Sequence, residues 1–199
     1  MEIPPPGPGT PPEDVAVAWN DLDGAGKRAR ALEVAGELFA REGLDASMPS
    51  LAEAIGVGVG SIYRQIGRKE DVIAALVAHR IERVAEQFEA AADGPDPWLA
   101  LRDVTHAVVA EALEDHVTHE AWAISLEHPE VRAVRPRASA ALEALVERAR
   151  VHGSLRPDAG AQDLRLAFRA AKEVEALGEG GAHRLADLVL RGMAADGGA

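Results

Sequence analysis

The sequence predicts an all-α protein in which an N-terminal three-helix unit precedes a larger helical domain. Apolar residues recur at spacings of three and four through most of the 199 residues, and no segment has the strict alternation of a half-buried strand. Gly and Pro separate these periodic segments, as at residues 93–95 and 178–181. The most informative stretch is 51–71, LAEAIGVGVGSIYRQIGRKED, which predicts a helix, a tight turn and a short second helix.

The N-terminus predicts an acidic tail followed by the first helix. Residues 1–23 are rich in Pro and Gly, a composition typical of disorder. The first helix is predicted at 26–42, with Leu38 and Phe39 facing inward and Gly43 as its stop.

The stretch after this helix predicts a helix-turn-helix. Ser47 is a good N-cap for the second helix, and Gly56 can take the left-handed conformation that ends it. A third helix at about 58–65 would turn Ile62 and Ile66 inward, four residues apart. Two helices joined by a Gly-containing turn of three or four residues are the helix-turn-helix arrangement.

The outward residues of the third helix suit contact with DNA. They avoid the face of the two isoleucines and comprise Val59, Gly60, Ser61, Tyr63, Arg64 and Gln65. Arg64 can bond a guanine edge and Gln65 an adenine edge, whereas hydroxyl groups and Lys69 can contact phosphates. The alternative interpretation is an ordinary surface turn of a helical protein.

The net charge of −12 is unusual for a DNA-binding protein, but it is unevenly distributed. Residues 1–26 hold five acids and no Lys or Arg, whereas residues 27–70 hold seven bases and six acids. The helix-turn-helix region is therefore the only part that is not strongly acidic. Negative charge elsewhere should suppress non-specific binding to DNA.

Six further helices are predicted, at about 68–92, 97–116, 118–127, 130–152, 159–177 and 182–193. Pro136 is expected to bend the 130–152 helix or delay its start. The last helix carries an apolar stripe of Leu185, Leu188, Val189 and Met193.

The quoted motifs resemble the TetR family of one-component transcription regulators over about residues 27–75. The matching positions run in order through Arg30-Ala31-Leu32, Ala35, Leu38-Phe39, Gly43, Ser47, Leu51-Ala52, Gly56-Val57, Gly60-Ser61-Ile62-Tyr63 and Lys69-Glu70. Gly58 departs from the pattern because the family usually has Ser or another capping residue there. Gln65-Ile66 replaces a common His-Phe, and Pro49 stands at an often polar position.

The resemblance implies a DNA-binding domain at 24–70 and a helical ligand-binding and dimerisation domain at 71–195. Its DNA-facing positions fall on Ser47, Ser50, Val59, Gly60, Ser61, Tyr63, Arg64, Gln65 and Lys69. It implies a repressor that binds a palindromic double-stranded DNA operator as a homodimer, paired through about residues 159–193. An unknown small-molecule effector would release it. The alternative is a helical adaptor or small-molecule-binding protein that has lost operator binding.

The effector pocket is expected inside the helices between residues 68 and 177, since small-molecule sites are mostly apolar with a few polar anchors. The candidate lining residues are Phe88, Trp98, Arg102, His106, Trp122 and Phe168. Each aromatic residue could equally be ordinary core.

Other chemistry is not expected. His116 and His119, three apart, could share a helix face and hold a metal, but polar capping of a helix junction is the preferred interpretation. The sequence has no Cys, nucleophile elbow, phosphate-binding loop or dinucleotide fingerprint, so neither an enzyme nor a cofactor is predicted. No apolar run is long enough for a membrane span and no signal peptide is seen, so a cytoplasmic location is expected.

Overall fold

The computed structural model describes residues 19–195, except for the side chains of His116, His119 and Ala123. The described residues form nine α-helices, which confirms the predicted fold class. They are α1 (Gly24–Glu42), α2 (Met48–Ile55), α3 (Val59–Gln65), α4 (Lys69–Ala92), α5 (Pro97–Glu114), α6 (His116–Ser125), α7 (Pro129–Val151), α8 (Ala161–Glu175) and α9 (Gly181–Met193). In residues 19–195 the only β pairing is an isolated antiparallel bridge between Leu155 and Ala194.

Residues 19–23 belong to the folded part rather than to the predicted tail, the rest of which lies outside the described residues. Trp19 packs partly buried against the core from a short 3-10 helix, Trp19–Asp21. The Asp23 carboxylate then caps α1 by accepting a 2.7 Å hydrogen bond from the Gly26 N–H. This cap starts α1 two residues before the predicted position.

The predicted caps of α2 are present. The Ser47 hydroxyl accepts a 3.1 Å hydrogen bond from the Ser50 N–H at the start of the helix. Gly56 ends it with φ +81°, in the left-handed region where a side chain would be strained. A tight turn therefore leads directly from α2 into α3.

The helix-turn-helix is held by a small buried core. Leu51 of α2 and Ile62 of α3 are fully buried, and Ala52 and Ile66 are nearly so. They pack in one cluster with Leu38 and Phe39 of α1 and with the first half of α4. Burial of Ile62 and Ile66 leaves the other side of α3 free to face solvent.

α4 is continuous across the predicted domain boundary at 70/71 and joins the two parts of the protein. Its N-terminal half packs in the cluster beneath α1–α3, and its C-terminal half contributes Phe88 to a second cluster with α5, α7, α8 and α9. Its main neighbour along its length is α7. Pro136 lies exposed inside α7, which begins at Pro129 without the predicted delay.

The last two helices pack on each other and on α5, with small residues inward. Ala171, Ala182 and Ala186 are buried where these helices meet α5. The residues of the predicted apolar stripe on α9 therefore do not all face inward: Met193 is buried, whereas Leu188 is 56% exposed. Alanines fill the inner face because the helices approach closely there, so the larger leucine points outward.

No helix in residues 19–195 is long and apolar enough to cross a membrane.

Candidate nucleic-acid interface and effector cavity

One face of α3 is presented to solvent. Val59 and Tyr63, one turn apart, are 39% and 47% exposed. Gly60 and Arg64, the next residues on the same face, are also exposed. Gly60 has no side chain on this exposed face, so the α3 backbone is open to a close partner there.

Two of the predicted DNA-facing residues on α3 are partly engaged within the protein. The Gln65 amide donates a 2.6 Å hydrogen bond to the backbone carbonyl of Gly24, 41 residues earlier, and its side chain is half-buried. Gln65 thus ties the end of α3 to the start of α1, and its contact with DNA stays a prediction. Ser61 is also half-buried, and its hydroxyl accepts a 3.2 Å bond from Arg64.

A groove of about 450 Å³ runs beside this face, between the starts of α2 and α4. It brings together three residues predicted separately, namely Ser47, Tyr63 and Lys69. Ser50 lies next to it, with its hydroxyl 2.8 Å from that of Ser47. Hydroxyl groups and a lysine in one groove are the donors that contact phosphate in protein–DNA complexes.

The cationic side chains at α3 and the start of α4 differ from two arginines of α1 in whether they form ion pairs. Arg30 and Arg41 each pair with a glutamate on α1. Arg64 and Lys69, by contrast, form no ion pair with any described residue. Both cations are therefore available to a partner at α3 and the groove, whose lining also includes Asp45, Arg68 and Glu70.

Two polar contacts connect the DNA-binding helices to the start of α7. Arg28 of α1 pairs with Glu130 at 2.5 Å, and the Asp71 carboxylate lies 3.1 Å from Nε2 of His128. Asp71 also accepts a 2.6 Å hydrogen bond from the Arg68 N–H at the start of α4. The bond from Arg68, followed by the one from His128, lowers the pKa of the Asp71 carboxyl.

A second cavity of about 570 Å³ opens among α4, α5, α6, α7 and α8. Three of the predicted pocket residues line it, namely Phe88, Trp122 and Phe168. The rings of Phe88 and Phe168 stack with their centroids 6.1 Å apart. This volume is within the range of about 300–1,000 Å³ that accommodates drug-sized ligands.

The other three predicted pocket residues lie elsewhere. Trp98 packs partly buried on the second cluster, and Arg102 is exposed and bonded to Asp103. His106 reaches α9, with Nδ1 3.0 Å from Nδ1 of His183. The physical reason is that α5 turns Val108 and Ala112, not the face of these three residues, toward the cavity.

Half of the polar residues that line the cavity are arginines, which the sequence did not predict there. Arg80, Arg135, Arg165 and Arg169 all line the cavity. A signal existed in the sequence, because Arg165 and Arg169 are four residues apart and so share one face of α8.

The described residues contain no group of three or more His, Cys, Asp or Glu that could hold a metal ion. The side chains of His116 and His119 lie outside the described part of the structure.

Residues 31–76 match the family model described as bacterial regulatory proteins, tetR family. This segment spans α1 from its second turn, the helix-turn-helix and the first turns of α4. A search of curated proteins finds no match.

Solved structures resemble the chain over most of its length. A TetR transcriptional regulator from Streptomyces coelicolor is 26% identical, with 85% of this chain and 99% of that chain covered and a TM-score of 0.62. PfmR, a TetR family transcriptional regulator from Thermus thermophilus, is 25% identical over 81% of this chain and 97% of that one, with a TM-score of 0.63. SmeT, the repressor of the Stenotrophomonas maltophilia multidrug efflux pump SmeDEF, has a TM-score of 0.67 at 20% identity, covering 91% of this chain and 95% of its own.

The family model covers the DNA-binding helices, and the likeness in structure extends through the C-terminal helices. With the exposed face of α3 and the helix-turn-helix that presents it, these matches identify residues 31–76 as a helix-turn-helix DNA-binding domain of the tetR family, in a chain whose fold resembles that of TetR transcription regulators.

Proposed function

We propose that the protein is a repressor that binds a palindromic operator as a homodimer and is released by a small-molecule effector. The observation that carries the proposal is the exposed face of α3, where Arg64 has no ion pair, beside a groove that contains Lys69. Repression requires only that the protein occupy its DNA site, so no further surface is needed for this mode of action.

The residues divide into base contacts and phosphate contacts. Arg64 would bond guanine in the major groove, and Val59 would contact a thymine methyl group. Ser47, Tyr63 and Lys69 line the groove and would hold one phosphate strand in register. Gln65 has a backbone partner already and is assigned to positioning α3.

Dimerisation through α8 and α9 is supported by the leucines that the fold leaves outside. Leu166, Leu177 and Leu188 are 57%, 88% and 56% exposed. The inner faces of the same helices already cover the monomer core with small residues, so the core does not need these leucines. A twofold contact would bury them and present two α3 helices to half-sites roughly 34–36 Å apart, or a multiple of that distance.

Effector control is supported by the cavity and by its connection to the DNA-binding helices. α7 contributes Arg135, Ala138, Ser139 and Leu142 to the lining. The start of the same helix is bonded to α1 and α4 through Glu130 and His128. A ligand that prefers the dimer with wrongly spaced α3 helices lowers operator affinity by its differential binding to the two states.

The proposal is tested by selecting bound duplexes from a random pool. The expected product is an inverted repeat, because a twofold dimer reads the same half-site twice. Failure to enrich any sequence would instead favour the adaptor function.

Lys69→Ala should weaken binding to all duplexes and reduce the slope of log affinity against log salt by about 1, since one phosphate contact is lost. Arg83→Ala is the matched control because Arg83 is an exposed cation on α4 far along the helix from α3. An equal loss of affinity in both variants would show that overall charge, not the groove, governs binding.

A further inference from the structure

The lining of the effector cavity is positively charged in a strongly acidic protein. Four arginines and two acids, Asp115 and Glu173, line the cavity, whereas the whole chain carries a net charge of −12. The lining therefore has an excess of positive charge, although the chain as a whole is acidic.

The interior of the cavity is apolar. Phe88 and Val108 are almost completely buried, and the stacked Phe88 and Phe168 rings form a continuous hydrocarbon surface. Further apolar lining comes from Ile81, Val84, Ala112, Trp122, Ala138 and Leu142. This surface suits a ligand with a hydrocarbon chain or ring.

Two of the four arginines are held by protein partners. Arg80, with only 12% of its side chain exposed, pairs with Glu111 and lies 3.9 Å from Asp115. The Arg165 guanidinium bonds the Ser139 hydroxyl at 2.6 Å and the Glu143 carboxylate at 2.7 Å, thereby tying α8 to α7.

The other two arginines have no such partner. Arg135 lies one turn before Ser139 on α7, and Arg169 lies one turn after Arg165 on α8. Neither bonds or pairs with any described residue, and both are exposed, so they stand on the solvent side of the cavity. The tie between Arg165 and Ser139 brings the helices together next to them.

We propose that the effector is an amphipathic anion whose apolar part lies against Phe88 and Phe168 and whose carboxylate or phosphate lies between Arg135 and Arg169. This inference rests on the proposed effector function of the same cavity. Arginine suits the role because its planar fork bonds carboxylate and phosphate in a bidentate manner. A cationic ligand would meet an excess of positive charge, and a neutral ligand would leave the two guanidinium groups without partners.

The test measures binding of ligands that share a decyl chain and differ in the head group. A change in the intensity or wavelength of tryptophan fluorescence reports binding, because Trp122 lines the cavity. The probes are decanoate, decyl phosphate, decanol and decyltrimethylammonium, all below their micelle-forming concentrations. We expect decanoate or decyl phosphate to bind about tenfold or more tightly than decanol, since charge-assisted hydrogen bonds are lost with the neutral head, and the cation to bind most weakly. The stronger of the two anions identifies a carboxylate or a phosphate as the natural head group.

The chain-length dependence tests the apolar part separately. Affinity should rise about fourfold for each methylene from octanoate to decanoate, as expected for burial of a CH₂ group. Acetate should not bind measurably. Equal affinities for octanoate and decanoate would overturn the assignment of the tail to the Phe88 and Phe168 surface.

Arg135→Ala and Arg169→Ala should each weaken decanoate binding by about three- to tenfold, a modest loss because both side chains face solvent. Binding of decanol should not change. Arg132→Ala is the matched control, because Arg132 is an exposed arginine on α7 that lies outside the cavity. Arg135→Lys keeps the charge and should restore part of the affinity.

Failure of the inference and failure of the proposed function are distinguishable. Decanol binding as tightly as the anions, or no binding by any probe, would overturn the inference, even if another compound released the operator. Charge-dependent binding of decanoate with no change in operator affinity would support the anion site and contradict effector-controlled release.

Discussion

Replacing Gly58 with Ser should stabilise the protein by giving α3 the side-chain cap it lacks. Gly58 is the N-cap of α3, at φ −70° and ψ 140°, and it makes no side-chain cap hydrogen bond. This conformation is open to any residue, and a Cβ at position 58 would meet no atom within 4 Å. A serine hydroxyl could accept from an N–H in the first turn of α3.

The expected gain is small. Exchanging Gly for Ser at an N-cap is worth a few tenths of a kcal/mol, and this difference in stability already includes the greater freedom of glycine in the unfolded chain. It corresponds to a rise in Tm of about 1 °C for a chain of this size.

The assay is thermal unfolding at a fixed protomer concentration, with two comparison variants. Gly58→Ala should destabilise the protein, because alanine is much less favourable than glycine at an N-cap. Gly56→Ser has equally open space but a φ of +81°, so it should destabilise by about 1 kcal/mol. The reasoning would be refuted if the two serine variants changed Tm in the same direction, because they differ chiefly in backbone conformation.

Three further predictions concern the connections between the helices. Asp71→Asn should cost about 1 kcal/mol at neutral pH. Folding lowers the pKa of this carboxyl below its ordinary 3.8, so the difference in urea-unfolding free energy between the wild-type protein and the variant should disappear as the pH falls through that lower value. A difference that does not depend on pH would contradict the assignment. A double-mutant cycle of Arg28→Ala and Glu130→Ala should give a coupling energy of about 0.5–1 kcal/mol, as expected for an ion pair whose side chains are 34% and 39% exposed. Additive effects of the two substitutions on stability would rule out the contact. Leu188→Glu should weaken the dimer about 100-fold or more by burying an unpaired charge. Val151→Glu, at a more exposed aliphatic residue at the end of α7, should not; light scattering across a dilution series distinguishes these results.

The helix-turn-helix was predictable because its determinants are local. Gly56 takes the left-handed conformation that its position after Ile55 indicated, and Ile62 and Ile66 are buried as their spacing required. The role of Gln65 was not predictable from this pattern, because its partner Gly24 lies 41 residues away. Only the packing of α1 against α3 brings the two together.

The cavity was predicted in general position but only partly in composition. Phe88, Trp122 and Phe168 were identified because large aromatic side chains are few in this chain. Arg135 and Arg169 were missed since helix periodicity does not say which neighbour a polar face meets. The exposure of Leu188 could not be predicted either. The alanines that face the core determine the rotation of α9 about its axis, and alanine contributes little to an apolar pattern in the sequence.

The central claim, that the exposed face of α3 reads base edges, is tested most directly by repeating the selection of duplexes with Arg64→Ala. We expect the selected inverted repeat to lose its base preference at one position in each half-site, with a cost of about 1–3 kcal/mol on the original operator. Selection of the same sequence with the same preference at every position would contradict the claim.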